Sequence, residues 1–342
     1  MKLFYPLHVR DRPGALCYIV RHPEFPVLLG EDLMQYLEGK VAFITGGASG
    51  IGLGMCQAFI EAGMKVVIAD IRQAALDNAI ASLHADATTV LPIQLDVTDR
   101  AACVRAADQA ERAFGAVNLL CNNAGITIDG PLPLGTYDDW DFCLSVNLGG
   151  VINGVMTFMP RMIARQQECH IVNTSSMGGL IAGAGSGIYS TSKYAVVGLT
   201  EELRSDLAQY GIGVSLFCPG PTQTELFASS VAVRPERLSA TGYVPRTVPE
   251  LDSMPADIAA AIYAIAMQPL DAGRRVLEGI RRNDMYILTH PEFSAIVRAR
   301  CEALLASMSK EALSPERVRA AGLLLTDKLY AEQIARIKAR EK

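Results

Sequence analysis

The stretch Val41-Ala-Phe-Ile-Thr-Gly-Gly-Ala-Ser-Gly-Ile-Gly52 decides the fold of this chain. Five apolar or β-branched residues run without a polar break into a glycine-rich turn, and an apolar helical pattern, Ile51–Ala62, follows at once. An unbroken apolar strand is one buried on both faces, as in a parallel sheet covered by helices. Gly46, Gly50 and Gly52 let the backbone turn tightly, and with Ser49 and Ile51 between them they bring the first amides of a helix to the end of a strand. That strand–turn–helix unit is a cradle for a pyrophosphate.

Working outward, the same alternation repeats. Strand-like runs occur at Val66–Ala69, Val90–Gln94, Leu119–Cys121, His170–Thr174 and Val214–Phe217. Helical patterns lie at Gln73–Leu83, Arg100–Phe114, Asp138–Ala164 and Tyr189–Tyr210. The expectation is an α/β fold of Rossmann type, a doubly wound parallel sheet in a single domain. Pro255–Met267 reads as a further helix and Met285–Leu288 as a short last strand. Glu225–Ser253 has no clear period and is too long for a simple connection, which suggests a lid. Its apolar Leu226, Phe227, Val231, Val233, Leu238, Tyr243 and Val244 suit a bulky ligand or ordinary packing, and Arg234, Arg237 and Arg246 suit solvent or a carboxylate.

The divisions expected are an N-terminal extension 1–39, a catalytic domain 40–290 and a helical C-terminal extension 291–342. Within the first, the compact unit begins near Met34, and residues 1–33 read as a peripheral arm or a translated upstream segment.

Composition narrows the partners. The 342 residues are half hydrophobic with a net charge of −5 and no basic block, which argues against nucleic acid or an anionic membrane. No metal-ligand spacing appears among the eight cysteines, several of which sit in apolar runs as buried free thiols do. No signal-peptide pattern or membrane-length apolar run is evident, so a cytoplasmic, soluble chain is expected.

Asp70 closes the second strand-like run eighteen residues after Gly52, where an acid can accept hydrogen bonds from an adenosine ribose and repel a 2′-phosphate. A cap on the next helix is the competing role. Arg72 could hold such a phosphate, but the glycine turn itself carries no cation, so NAD is preferred to NADP.

The spacing Thr-Gly-x-x-x-Gly-x-Gly resembles the short-chain dehydrogenase/reductase superfamily. The supporting motifs follow in that family's order: Leu95-Asp-Val97, Asn122-Asn-Ala-Gly125, Asn147, Ser176, Tyr189-Ser-Thr-Ser-Lys193 and Pro219-Gly220. The resemblance covers about Lys40 to Thr289. It implies that Asp96 and Val97 hold the adenine, and that Asn123, Ala124 and Gly125 line the cofactor. It implies that Asn147 joins a proton path to Lys193, and that Pro219, Gly220, Thr222 and Thr224 flank the nicotinamide. Pro221-Thr-Gln departs from the family's usual continuation, which leaves Thr222 less secure than Thr224.

Chemically, alcohol oxidation removes a hydroxyl proton and a carbon-bound hydride. Lys193 lies one helical turn from Tyr189, so its cation can favour the phenolate as general base. Ser176 lies thirteen residues before Tyr189, the family's spacing, and its hydroxyl can hold the substrate oxygen; Ser175 is the neighbouring competitor. His84, His170 and His290 are isolated and read as surface or satisfied core histidines.

Four further stretches resemble bacterial lignin Cα-dehydrogenases: Thr136-Tyr-Asp-Asp-Trp-Asp, Val151-Ile-Asn-Gly-Val-Met-Thr-Phe-Met-Pro-Arg-Met, the segment around Gly242-Tyr-Val, and Met285-Tyr-Ile-Leu-Thr-His-Pro-Glu. That likeness implies NAD-dependent oxidation of a benzylic secondary alcohol in a β-aryl ether. An NADP-dependent ketone or 3-oxoacyl reductase is the alternative, and a non-catalytic NAD-binding regulator the reading outside enzymes. The superfamily also implies a homodimer or homotetramer built on the two long helices.

Overall fold

The computed structural model describes Met34 and residues 36–183, 185–235, 238, 256–309, 311, 314–324 and 329–340. Residues 1–33 and the lid positions Arg237, Tyr243, Val244 and Arg246 lie outside the described residues.

Among the described residues, seven parallel strands form one sheet: β1 (Val41–Thr45), β2 (Lys65–Asp70), β3 (Val90–Gln94), β4 (Val117–Asn122), β5 (Cys169–Thr174), β6 (Ile212–Cys218) and β7 (Tyr286–Leu288), in the order β3-β2-β1-β4-β5-β6-β7. The chain winds outward from β1 in one direction, then returns to place β4 on its other side. Neighbouring loops diverge at such a switch point, and the crevice at the strand C-termini is where ligands bind in open α/β sheets.

Both faces are covered, as the unbroken apolar strands require. Val41 and Phe43 of β1 face α3 (Arg100–Phe114), α5 (Gly150–Arg165) and α6 (Gly187–Ala208). Ala42 and Ile44 face α1 (Gly50–Glu61), α2 (Gln73–Leu83) and α9 (Pro269–Arg281). Met34 and Leu37 are buried in this second layer, so packing begins ahead of residue 40.

The long helix expected over Asp138–Ala164 is two helices, α4 (Tyr137–Leu144) and α5, joined by a wide π turn at Ser145–Gly149. Taken together, Tyr137–Arg165 reaches the length and hydropathy of a membrane-crossing segment, which the sequence reading did not anticipate. Half of that window is buried within this domain, and the core residues Val151, Val155 and Phe158 account for its apolar character. The region expected to lack regular structure begins with a short helix, α7 (Leu226–Ala232), and α8 (Ala256–Ile265) follows the undescribed lid positions.

Beyond β7 come α10 (Ser294–Ala306), α11 (Pro315–Leu324) and α12 (Leu329–Arg340), the C-terminal helices the composition suggested. Polar contacts attach α12 to the β7 end of the sheet: the Met285 amide donates to Gln333 Oε1 (3.1 Å), and the Tyr330 hydroxyl to Glu201 (2.9 Å).

Candidate active site

The cradle starts where β1 ends. Gly46 has φ +61°, and a Cβ there would stand 2.8 Å from the Ala124 Cα, so any side chain would collide with the backbone after β4. A Cβ on Gly52 would fall 2.1 Å from the Gly46 carbonyl oxygen. The Thr45 hydroxyl binds the two loops together, accepting from the amides of Asn123 and Ala124, each at 3.0 Å. Asn123 Nδ2 returns a bond to the Thr45 carbonyl (3.2 Å). No side chain caps α1 at Ser49, so its first amides are left to face the crevice.

At the end of β2, Asp70 accepts from the Ala48 amide (3.4 Å) and the Arg72 amide (3.1 Å). The competing role as helix cap is not what forms, because Arg72 occupies the N-cap position of α2. Arg72 is no free phosphate hook either: Nε approaches Asp70 at 3.4 Å while its other arm donates to the Ser49 hydroxyl at 2.7 Å. Asp96 turns one carboxylate oxygen back onto the Thr98 amide and hydroxyl, both at 2.8 Å.

These residues line a cavity of about 540 Å³ that runs from Asp70 and Asp96 to Tyr189 and Lys193. The volume is that of a small-molecule or cofactor site. Every residue expected to hold the cofactor borders it except Gly220 and Thr222. A dinucleotide fits the chemistry of the walls: helix amides at the turn, a carboxylate at the ribose end, and titratable groups at the other.

At that other end lie Tyr189 and Lys193, and Tyr189 also borders an adjoining cavity that holds Ser176. The Ser176 hydroxyl accepts from the Gly178 amide (3.1 Å) and lies close enough to the Tyr189 phenol to favour its ionised form. Burial pushes that phenol up to about 12; the Ser176 hydroxyl opposes the rise, and the nearby Asp129 adds to it. Burial pulls the Lys193 ammonium down to about 8. Its Nζ donates to the Thr174 carbonyl (3.1 Å) and lies 5.6 Å from the Tyr189 ring centroid. Ser175 is excluded from competition, since its hydroxyl is buried and donates to the Lys193 carbonyl at 2.9 Å.

Asn147 does not border the cavity. It sits fully buried in the π turn, an element that recurs at functional sites, and grips the chain behind the cavity. Oδ1 accepts from the Ile126 amide (2.8 Å), and Nδ2 donates to the Ile126 carbonyl (3.0 Å) and the Ser192 hydroxyl (2.9 Å). A Cβ on Gly125 would come within 3.3 Å of Asn147 Oδ1 and 3.4 Å of Lys193 Nζ, so the two flank the same point of the loop.

Past β6 the turn at Pro219–Thr224 divides its threonines. The Thr224 methyl would be 3.1 Å from a Cβ on Gly50, which places it at the cradle. Thr222 instead donates to the Gly220 carbonyl (3.1 Å) and borders an adjoining cavity with Ser176, Tyr189, Phe227 and Tyr263.

Three contributors were not picked out from the sequence. Thr45 opens the glycine motif, but nothing local in the sequence shows that its hydroxyl faces two amides of the loop after β4. Asp129 carries no motif. His290 was set aside as isolated; its ring contacts Thr289 Oγ1 (2.6 Å) and the Ile265 carbonyl (2.9 Å), and Thr289 in turn accepts from the Gly220 amide (3.0 Å). It is a satisfied core histidine that supports the Pro219–Gly220 turn.

Residues 40–234 match the family described as short chain dehydrogenase. The C alpha-dehydrogenase of Sphingobium sp. is 39% identical over 289 residues, 84% of this chain and 92% of that one. The apo structure of LigO from Sphingobium sp. superposes with a TM-score of 0.68 at 43% identity, covering 85% of this chain and 96% of the other. A short chain dehydrogenase/reductase from Burkholderia phymatum, solved in complex with NAD, gives 0.71 at 37% identity, with 82% and 99% covered. The chain belongs to the short-chain dehydrogenases. It is an oxidoreductase acting on CH–OH groups, with the expected doubly wound fold.

Proposed function

We propose that this protein oxidises a secondary benzylic alcohol, such as that of an aryl ether fragment, to the ketone with NAD, using Tyr189 as general base. The observation that carries the reading is the pairing of Tyr189 and Lys193 at one end of a cavity whose other end is Asp70, with Ser176 beside the Tyr189 phenol. The likeness to the Sphingobium C alpha-dehydrogenase, which spans nearly all of that relative, supports the substrate class.

When bound, NAD would take the hydride from the carbinol carbon. The chain supplies the proton chemistry. Tyr189 Oη takes the hydroxyl proton, and the Ser176 hydroxyl donates to the substrate oxygen as its charge changes. An ordinary lysine would keep its proton at neutral pH. Lys193, drawn down to about 8, can give one up and so pass the Tyr189 proton onward. Asn147 acts behind them by fixing Ile126, hence Gly125, against Lys193.

Asp70 and the turn around Ser49 supply the NAD preference, Arg72 being held between them. A 3-oxoacyl reductase with NADP is less well supported, because the Thermotoga maritima reductase of that name covers only 56% of this chain. The same reading places the catalytic domain at 40–290, with 291–342 as a helical extension. It includes a homodimer or homotetramer, supported by Ile152 and Met156 exposed on α5. It also includes a cytoplasmic setting, supported by free thiols at every described cysteine.

The test is NADH formation at 340 nm with a panel of secondary alcohols, benzylic aryl ethers included, beside the same panel with NADP. Turnover confined to aliphatic alcohols or to NADP would contradict the proposal.

A further inference from the structure

Between Tyr189 and Lys193 on α6 stands Ser192, a residue that the proton chemistry above does not use. It is fully buried and borders neither cavity. Three contacts exhaust its hydroxyl. It donates its one hydrogen to the Tyr189 carbonyl (2.6 Å) and accepts from Asn147 Nδ2 (2.9 Å), and the Cys143 thiol approaches as a weak donor at 3.8 Å. In an α-helix the Tyr189 carbonyl also receives the amide four residues on, which is that of Lys193. Ser192 thus meets the backbone at the turn that carries both members of the pair.

These contacts decide which way the Asn147 amide points. The Ser192 hydrogen is committed to Tyr189, so its oxygen can only accept, and the amide must turn its nitrogen there. The Ile126 amide in turn requires Oδ1, at 2.8 Å. Ile126, Cys143 and Ile188 form an apolar cluster beside them. Without Ser192, Nδ2 would keep only the Ile126 carbonyl (3.0 Å) and the weakly accepting Cys143 sulfur (3.5 Å). Asn147 Oδ1 and Lys193 Nζ flank Gly125, so a shifted Asn147 moves the loop beside the ammonium.

We infer that Ser192 is a positioning residue for proton transfer: its hydroxyl clamps the Asn147 amide to the Tyr189 carbonyl and so fixes the loop at Gly125 against Lys193. This assignment rests on the reading of Tyr189 and Lys193 as the proton-transferring pair, and it requires no particular alcohol.

The test is a double-substitution cycle in the full-length chain: wild type, Ser192→Ala, Asn147→Ala and the double variant. NADH formation from 1-phenylethanol, NAD dissociation constants and melting curves are measured for each. Misplacing a reacting group by about 1 Å costs up to about a hundredfold in rate. Ser192→Ala should therefore lose about tenfold to hundredfold in kcat, with the alcohol KM and NAD affinity within a few-fold of wild type. In the Asn147→Ala background the same change should cost less than about threefold, because Ser192 acts through Asn147. Thr200→Val is the control. Thr200 is also buried on α6, accepts from Asn173 Nδ2 (3.1 Å) and donates to the Val196 carbonyl (2.6 Å), so the same kind of bond is lost away from the site. It should lower the melting temperature and leave kcat unchanged.

An undiminished kcat in Ser192→Ala, or a loss repeated in full on top of Asn147→Ala, overturns the assignment and leaves the reading of function standing. If Asn147→Ala does not fold, Ser192→Thr decides, since threonine keeps a hydroxyl for the Tyr189 carbonyl. A kcat near wild type then supports the clamp, and one as low as in Ser192→Ala overturns it. If the wild type oxidises neither 1-phenylethanol nor any other alcohol of the panel with NAD, the reading of function fails and the clamp falls with it.

Discussion

Lys193 and Tyr189 lie one turn apart on α6, with the ammonium nitrogen 5.6 Å from the phenol ring centroid, and burial drives both toward their neutral forms. The phenol rises to about 12 and the ammonium falls to about 8. Burial therefore outweighs the opposing influence of the Ser176 hydroxyl in the protein alone. The positive nicotinamide ring of bound NAD is the charge that would bring the phenol back toward the working range.

The pH dependence follows from that balance. Oxidation needs the phenolate, whereas reduction needs the neutral phenol. With burial holding Tyr189 neutral and the charge of Asp129 adding to the effect, kcat/KM for alcohol oxidation should climb steadily from pH 7 to 10. Reduction of the ketone should change little over the same range. An oxidation profile already flat between pH 6 and 8 would show that the base titrates elsewhere.

Lys193 has a consequence for stability. Its folded value of about 8 lies below the usual 10.5, so the stability it contributes is complete above pH 10.5 and is lost as pH falls through 8. At pH 6–7 the folded state thus holds a buried cation at a cost of on the order of 1–3 kcal/mol, after allowing for its bond to Thr174. Lys193→Met should raise the melting temperature by several degrees at pH 6.5, show little gain at pH 10, and lose most turnover. Equal shifts at both pH values would contradict this.

The cofactor preference turns on a shared guanidinium. Arg72 is held by Asp70 and Ser49, so removing the carboxylate frees it for a 2′-phosphate. Asp70→Ser should raise the kcat/KM ratio of NADP over NAD by at least about tenfold. Adding Arg72→Ala to that variant should cancel the gain. A gain that persists would mean another cation receives the phosphate.

Thr45 is the strut of the switch point. Thr45→Val keeps the shape of the side chain but strands the Asn123 and Ala124 amides, a loss of about 1–3 kcal/mol. Urea unfolding should register that loss, and NAD should bind more weakly because the loop it lines has lost its anchor. Unchanged stability together with unchanged affinity would show that the amides find another acceptor.

Much of this was legible before any coordinates. β1 and β3 have the ends expected of them, because apolar runs bounded by glycine or polar residues leave little freedom of register. Tyr189, Lys193, Ser176 and the glycine turn were legible through spacing, since chemistry fixed to one helix or one turn writes itself locally. Contacts made across the fold were not. The choice of Ser176 over Ser175 became physical only when Ser175 was found bonded to the Lys193 carbonyl. The π turn at Asn147 interrupts a helical pattern without proline to announce it, because it is held by Ile126 and Ser192 from other elements. The pairing of Arg234 with Asp139 spans 95 residues and has no sequence period at all.

The most direct test of the central claim is Tyr189→Phe, assayed for turnover and for NAD affinity in the same preparation. A loss of about 10²–10⁴ in kcat is expected, with NAD dissociation constants within a few-fold of wild type. A Tyr189→Phe protein that still oxidises the alcohol at near wild-type rates would contradict the account.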